Sequence, residues 1–249
     1  MAAAWIGHAT VLLRIGGMNI LTDPVFSTRV GVGLGMLTVG PKRMVAPAAR
    51  LADLPELDLI LISHAHFDHL DRPTLARLPK RTPIITARGT RDLLTDLGYR
   101  DVRELAWGRR LAMDGVTFDA LRPNHWGART FHDQYRGYNA YVLRDGAGRS
   151  VLYGADTADT RAFDGVGPVD LAILGIGAYD PYVAAHTTPE QAWRIAQRIP
   201  ARRVLPMHHS TFRLSYEPDA EPMERLLAVA AGEAEKIVVR EVGGMWTGR

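Results

Sequence analysis

Apolar residues in this chain come in short runs, each closed by glycine, proline or an acidic residue. Trp5 sits in what reads as a first strand. Residues 11–15 and 18–22 are two such runs joined by Gly16-Gly17, a hairpin signal. Residues 57–63 form a run bounded by Pro55 and a polar cluster, which predicts a buried strand. A helix is expected over 73–78 with Asp71 as its N-cap, then a strand at 83–86, then a helix over 89–97 stopped by Gly98. Residues 102–105, 110–113 and 116–121 read as strands, the last two turning at Asp114-Gly115. A second hairpin is expected from 138–144 and 150–154 around Asp145-Gly146. Further on come a buried strand at 171–176 and a helix over 189–198, capped by Thr188 with Pro189 first. A strand at 203–207, a helix over 222–231 and a last strand at 236–242 complete the pattern.

Each half thus opens with hairpins and then adds helices. Two β-rich sheets with helices outside account for this, in a single α/β domain over residues 1–249. A strictly alternating βα barrel fits less well. The longest apolar stretch, VGVGLGMLTVG at 30–40, carries four glycines and falls short of the roughly 18 residues of a membrane span. It reads as a flexible apolar loop. No secretory leader precedes Trp5, so a cytoplasmic enzyme is expected, with a longer natural N-terminus left open. The net charge is only +3 and the basic residues are scattered, which argues against nucleic acid. With no cysteine, thiolate metal sites and cysteine nucleophiles are excluded, and any metal must be held by histidine and carboxylate.

The chemistry concentrates in LILISHAHFDHLD at 59–71, where a strand runs into His64, His66, Asp68 and His69. Residues two apart on extended chain face the same side, so His64 and His66 reach one metal ion. Asp68 and His69 follow as the chain turns and face a second position. One metal with open coordination, or two sharing a hydroxide, would result. Three more strands end in ligand-type residues: His125 in RPNHW, Asp156 in YGADT, and His208 with His209 in PMHHSTF.

These stretches, in the order WIGHATVLL, LTDPVFSTR, GPKR, LISHAHFDHLD, NHW, GADT, IGAYDP, HTTPEQA and MHHSTF, resemble the metallo-β-lactamase superfamily. They are most similar to the branch of N-acylphosphatidylethanolamine-hydrolysing phospholipase D and the bacterial lactonases near it. The resemblance implies a four-layer αβ/βα sandwich with two divalent metal ions at one edge. Zinc is preferred, with manganese or iron as alternatives. It implies that His64, His66 and His125 hold one metal, that Asp68, His69 and His208 hold the other, and that Asp156 bridges. His208 is chosen over His209, which is left as a neighbour of the site. Asp68 and His186 are implied as catalytic, His186 matching a histidine near the scissile phosphate. Asp23 is expected to orient a ligand imidazole, and His8 to be either structural or supporting. Lys42 and Arg43 are expected to serve the substrate. Asp71 is read as a cap or orienting residue and His132 as surface. The chain departs from that branch in its apolar 30–39 loop, and it is expected to do without the long N-terminal extension of the mammalian enzyme.

The expected activity is hydrolysis of a phosphodiester, phospholipase D-like, by metal-activated hydroxide. A sugar-phosphate lactone or other ester is the alternative, ahead of a di-iron redox or non-catalytic metal-binding role. A small-molecule or lipid substrate is expected, with peripheral membrane contact through the 30–39 loop.

Overall fold

The computed structural model describes residues 1–35 and 37–248. Among the described residues, fifteen strands form two main sheets and a small hairpin. In the first half are β1 (Ala2–Gly7), β2 (Thr10–Ile15), β3 (Met18–Thr22), β4 (Val32–Leu34), β5 (Leu37–Val39), β6 (Leu59–Leu61), β7 (Ile84–Ala87) and β8 (Val102–Leu105). Helices α1 (Arg72–Arg77) and α2 (Asp92–Thr95) belong to the same half. The second half holds β9 (Arg110–Met113), β10 (Val116–Leu121), β11 (Ala140–Asp145), β12 (Ser150–Tyr153), β13 (Leu171–Gly175) and β14 (Val204–Met207), with helices α3 (Pro189–Arg198) and α4 (Glu221–Val229). Strand β15 (Met245–Thr247) closes the chain. The sheets run β15-β1-β2-β3-β6-β7-β8 and β14-β13-β12-β11-β10-β9.

Period-two alternation builds the layers. Leu59, Leu61, Val151, Tyr153, Ile173 and Leu205 point between the sheets into one core. Their neighbours point outward. Ile60, Ile62 and Ile84 meet α1 and α2 through Leu75 and Leu94. Leu152, Ala172 and Val204 meet α3 and α4 through Trp193, Ile195 and Leu226. The order helix, sheet, sheet, helix is the four-layer sandwich that the resemblance implied. Because β6, β12, β13 and β14 are covered on both faces, they read as continuous apolar runs.

Helix α3 follows its sequence signals residue for residue. Thr188 accepts from the backbone N–H of Gln191, whose side chain accepts from the backbone N–H of Thr188.

Three expectations need correction. The 30–40 stretch, expected as a flexible apolar loop, carries the paired strands β4 and β5, with Val32 opposite Val39; Met36 lies outside the described residues. The helix expected over 89–97 is a single turn: Glu104 takes the N–H groups of Thr90 and Arg91 ahead of it, and beyond Thr95 the chain tightens into three-residue turns, with the N–H of Leu97 on the Leu94 carbonyl and that of Gly98 on the Thr95 carbonyl. Residues 236–242 are not a strand. Ile237 makes one bridge to Val204, and the chain then crosses to the other sheet, where β15 pairs with β1. Asp71 does stand at the N-cap of α1, but its carboxylate accepts from Ser27 and Thr74 instead of capping backbone N–H groups.

The sheets are stitched at one edge. His64 bridges Tyr138, Asn139 donates its N–H to Ser63, and the Tyr141 hydroxyl donates across the core to the carbonyl of Ile62 at 2.9 Å. Parallel β3 and β6 in one sheet, and β12 and β14 in the other, send their C-terminal ends to the residues that gather there.

Candidate metal centre

Five strand ends deliver ligand-type side chains to this edge. β3 leads to Asp23, β6 to the 64–69 turn, β10 to His125, β12 to Asp156 and β14 to His208. Asp23, Ala155 and His208 have φ of 30°, 50° and 63°, so three of these strands end in sharp left-handed turns. Non-glycine residues hold that conformation only where their surroundings over-determine it, and such sites cluster where function demands geometry.

The donor atoms fall into two sets. His64, His66, His125 and Asp156 each place one donor within 4.8 Å of the others. Asp68, His69 and His208 do the same together with His8. In the first set His64 Nε2 lies 2.8 Å from His66 Nδ1, and His66 Nδ1 lies 3.3 Å from His125 Nε2. In the second, His69 Nε2 and His208 Nε2 are 3.2 Å apart, and Asp68 Oδ2 is 3.6 and 3.4 Å from them. Asp156 Oδ2 stands between the sets, 3.0 Å from His69 Nε2, 3.2 Å from His208 Nε2, 3.8 Å from His125 Nε2 and 3.9 Å from His64 Nε2.

Outer partners fix which ring nitrogen faces inward. His69 donates Nδ1–H to Asp23 at 2.7 Å, and His125 donates Nδ1–H to the carbonyl of Ala185 at 3.0 Å. His64 Nδ1 lies 2.8 Å from Ser63 Oγ, whose own proton goes to Asp23. Asp23 also accepts from the Tyr153 hydroxyl at 2.6 Å and from the Ser63 N–H at 2.7 Å. In all three rings Nε2 is left to the site, the arrangement by which outer hydrogen bonds orient metal ligands. His8 Nε2 sits 2.8 Å from Asp68 Oδ2 and holds that carboxylate in place.

Charge is strongly polarised here. Burial opposes protonation of His208, but Asp156 and Asp68 outweigh it and raise its pKa to about 9. His69 is likewise raised well above its ordinary value against burial, by Asp156, Asp68 and Asp23. Burial alone would raise Asp156 and Asp68, yet the surrounding imidazoles hold both well below the usual carboxylate range. Burial keeps His64 and His125 far below ordinary imidazole.

A divalent cation fits these donors on three counts. Tetrahedral ligands 2.0–2.1 Å from zinc stand about 3.3 Å apart, the spacing that the second set and the His66–His125 pair already hold. Asp156 Oδ1 is buried without a hydrogen-bond partner. The donors are all imidazole and carboxylate, which suit zinc, manganese or iron. A cavity of about 770 Å³ elsewhere, lined by Trp193, Arg203 and Trp246, includes none of these donors, so size alone does not mark the site.

The remaining expected residues are placed as follows. His186 is half-buried, with Nδ1 3.8 Å from Asp156. His209 turns away from the donors, its ring against Trp5 and its Nδ1 on Ser210, so His208 is the member of the pair at the site. Arg43 is buried. Its guanidinium lies over Phe212 and donates to the carbonyls of Ser27 and Val25. Lys42 and His132 are exposed. Sequence reasoning missed Ser63, Tyr153 and Trp126, whose indole lies 4.9 Å from the His66 ring and 4.5 Å from that of His125. Nothing local to Ser63 or Tyr153 marks them. Trp126 was visible only as the neighbour of His125.

Fold and site together define a sandwich protein with a two-set metal-binding edge. The sequence model of the Beta-lactamase superfamily domain matches residues 18–209, and the chain belongs to that superfamily. A Mycobacterium tuberculosis protein is 34% identical, over 96% of this chain and 66% of its own length. The chain therefore spans just under two thirds of that relative. An N-acyl-phosphatidylethanolamine-hydrolyzing phospholipase D from Caenorhabditis elegans is 29% identical over 98% of this chain and 75% of its own. Among solved structures, an isothiocyanate hydrolase from Delia radicum gut bacteria superposes with a TM-score of 0.80 at 18% identity. It covers 100% of this chain and 99% of that one, a likeness of fold.

Proposed function

We propose that this protein is a metal-dependent hydrolase that cleaves a phosphodiester at a two-cation site, with zinc as the metal. The observation that carries the reading is Asp156 Oδ2, which lies within 3.9 Å of ligand nitrogens from both donor sets. His64, His66 and His125 would hold one cation, Asp68, His69 and His208 the other, and Asp156 would serve both. Cations held there would supply Lewis acidity, polarising a substrate oxygen and lowering the pKa of water towards neutrality. The phosphodiester is favoured by the likeness to the nematode phospholipase D.

The chain's own groups then position and stabilise. Asp68, ionised and braced by His8, stays an acceptor at neutral pH. Burial holds the pKa of His186 at about 4, so at neutral pH it works as an uncharged hydrogen-bonding group towards the substrate or leaving oxygen. The rim suits an amphiphile. Val32, Leu37 and Val39 are exposed on the β4–β5 hairpin, whose base packs through Val30 with Phe67 and Phe212. Beside the site, where Trp126 lies against His66 and His125, a cavity of about 630 Å³ is lined by Trp126, Arg129, Phe131 and Tyr138, enough for an acyl or aryl group. A lipid approached at a membrane surface through the hairpin is the substrate class we favour. Among the described residues no helix is long and apolar enough to cross a membrane.

Metal analysis followed by a substrate panel tests this. Chelator-treated protein should be inactive and should regain activity on addition of zinc. A bis-aryl phosphodiester and a phosphatidylethanolamine should turn over, and a lactone should not. Lactone-only turnover would remove the phosphodiester reading, and full activity after complete metal removal would remove the mechanism.

A further inference from the structure

Residues 126–138 form a closed loop fastened at both ends to the site. His125 precedes it, and Tyr138, at its end, bridges to His64. The loop closes so tightly at its neck that a Cβ on Gly127 would lie 2.3 Å from the Gly137 carbonyl oxygen. Inside it, Asp133 accepts from the Thr130 N–H and from Arg136, and Arg136 also grips Asp92 of α2 at 2.6 and 2.8 Å. The loop is thus a braced unit, not a loose flap.

From this unit Arg129 reaches back to the 64–70 turn. Its NH1 donates to the carbonyl of Ala65 at 2.8 Å and to that of Leu70 at 2.9 Å. Its guanidinium carbon lies 4.0 Å from the centroid of the Phe67 ring. The three contacts fall between and just beyond His64, His66, Asp68 and His69, and both hydrogen bonds go to backbone carbonyls. We infer that Arg129 is a positioning residue for cation binding: it clamps the turn that carries four donors to the loop that follows the fifth, His125. The inference rests on the metal-hydrolase reading of the same site. A planar, permanently charged guanidinium suits the task, since one group can hold two carbonyls and an aromatic face in fixed relation. Because the 64–69 turn contributes to both donor sets, a small shift of it would move ligands of both cations at once.

The test compares wild type with Arg129→Met and Arg129→Lys. Metal dissociation constants are measured by competition with a chromophoric chelator, beside the thermal midpoint of each metal-free protein. Arg129→Met should weaken binding of both cations about 10- to 100-fold, the scale for loss of an outer partner of a metal ligand. Its metal-free midpoint should move by no more than about 4 °C. Arg129→Lys keeps the charge and the contact with Phe67 but has a shorter reach, and should fall between. Should the Met variant fail to fold, the Lys variant decides. Affinity within twofold of wild type in a folded variant would overturn the inference and leave the hydrolase reading intact. A wild-type protein that takes up no divalent metal would overturn both.

Discussion

Asp156→Asn should abolish turnover while leaving the fold in place. The substitution keeps the shape of the side chain and removes its charge. Asp156 Oδ2 lies 3.0 and 3.2 Å from His69 and His208, and its Oδ1 is buried with no partner. An amide would present either a neutral oxygen or an N–H to cations that need an anion. Losing a mere outer partner of a ligand costs about 10- to 100-fold, so losing this shared oxygen should exceed a hundredfold in activity. The fold should survive because the neighbouring core of Tyr153, Ile173 and Leu205 does not depend on the carboxylate. Activity and metal content, measured beside the circular dichroism spectrum, decide the matter. An Asn variant with more than a tenth of wild-type activity would refute the central role of Asp156.

Metal-free protein should lose stability steeply below about pH 6.5. His8, His64, His66, His125, His186 and His209 are all held below the ordinary imidazole value, with burial the largest cause in each case. The unfolded chain takes up protons at these groups near pH 6.5. The folded chain resists doing so until about pH 4 at His186 and about 3 at His8 and His209. Acid therefore favours unfolding, by up to about 1.4 kcal/mol per pH unit for each such histidine, against a typical total stability of about 5–15 kcal/mol. Asp68 and Asp156 contribute stability above their unfolded value that is lost only as pH falls through still lower folded values, so they do not produce this limb. His69 and His208 act in the opposite direction. Their raised values add stability that is full below pH 6.5 and is lost as pH rises, through about 9 for His208. Urea midpoints taken in chelator from pH 5 to 9 should pass through a maximum between these limbs. A flat profile from pH 8 to 5 would show that the imidazoles are not buried as the structure has them.

The parts of this molecule that local pattern controls were legible in the sequence. The 189–198 helix, with its Thr188 cap, and the hairpin at Gly16-Gly17 depend on neighbours a few residues away. The strand-end placement of His125, Asp156 and His208 was visible for the same reason, though choosing His208 over His209 needed the likeness to a family. Long-range partnerships were not legible. Tyr153 meets Asp23 across 130 positions, and Ser63 meets it across 40, so neither residue's role is encoded near it. The burial of Arg43 was not legible either, since a basic residue in a Gly-Pro-Lys-Arg turn reads as exposed. Only the fold shows its guanidinium spent on Val25 and Ser27. The apparent last strand at 236–242 failed because buried Ile237 and Val239 line a crossing between sheets instead of extending a ladder.

Neither donor set belongs to one sheet. His64 and His66 follow the first sheet, while His125 and Asp156 follow the second. Asp68 and His69 meet His208 across the same seam. Any sliding of one sheet over the other would therefore stretch both sets at once. Cations loaded there would act as a rivet through the sandwich, and amide hydrogens flanking the seam should then exchange in step with metal release.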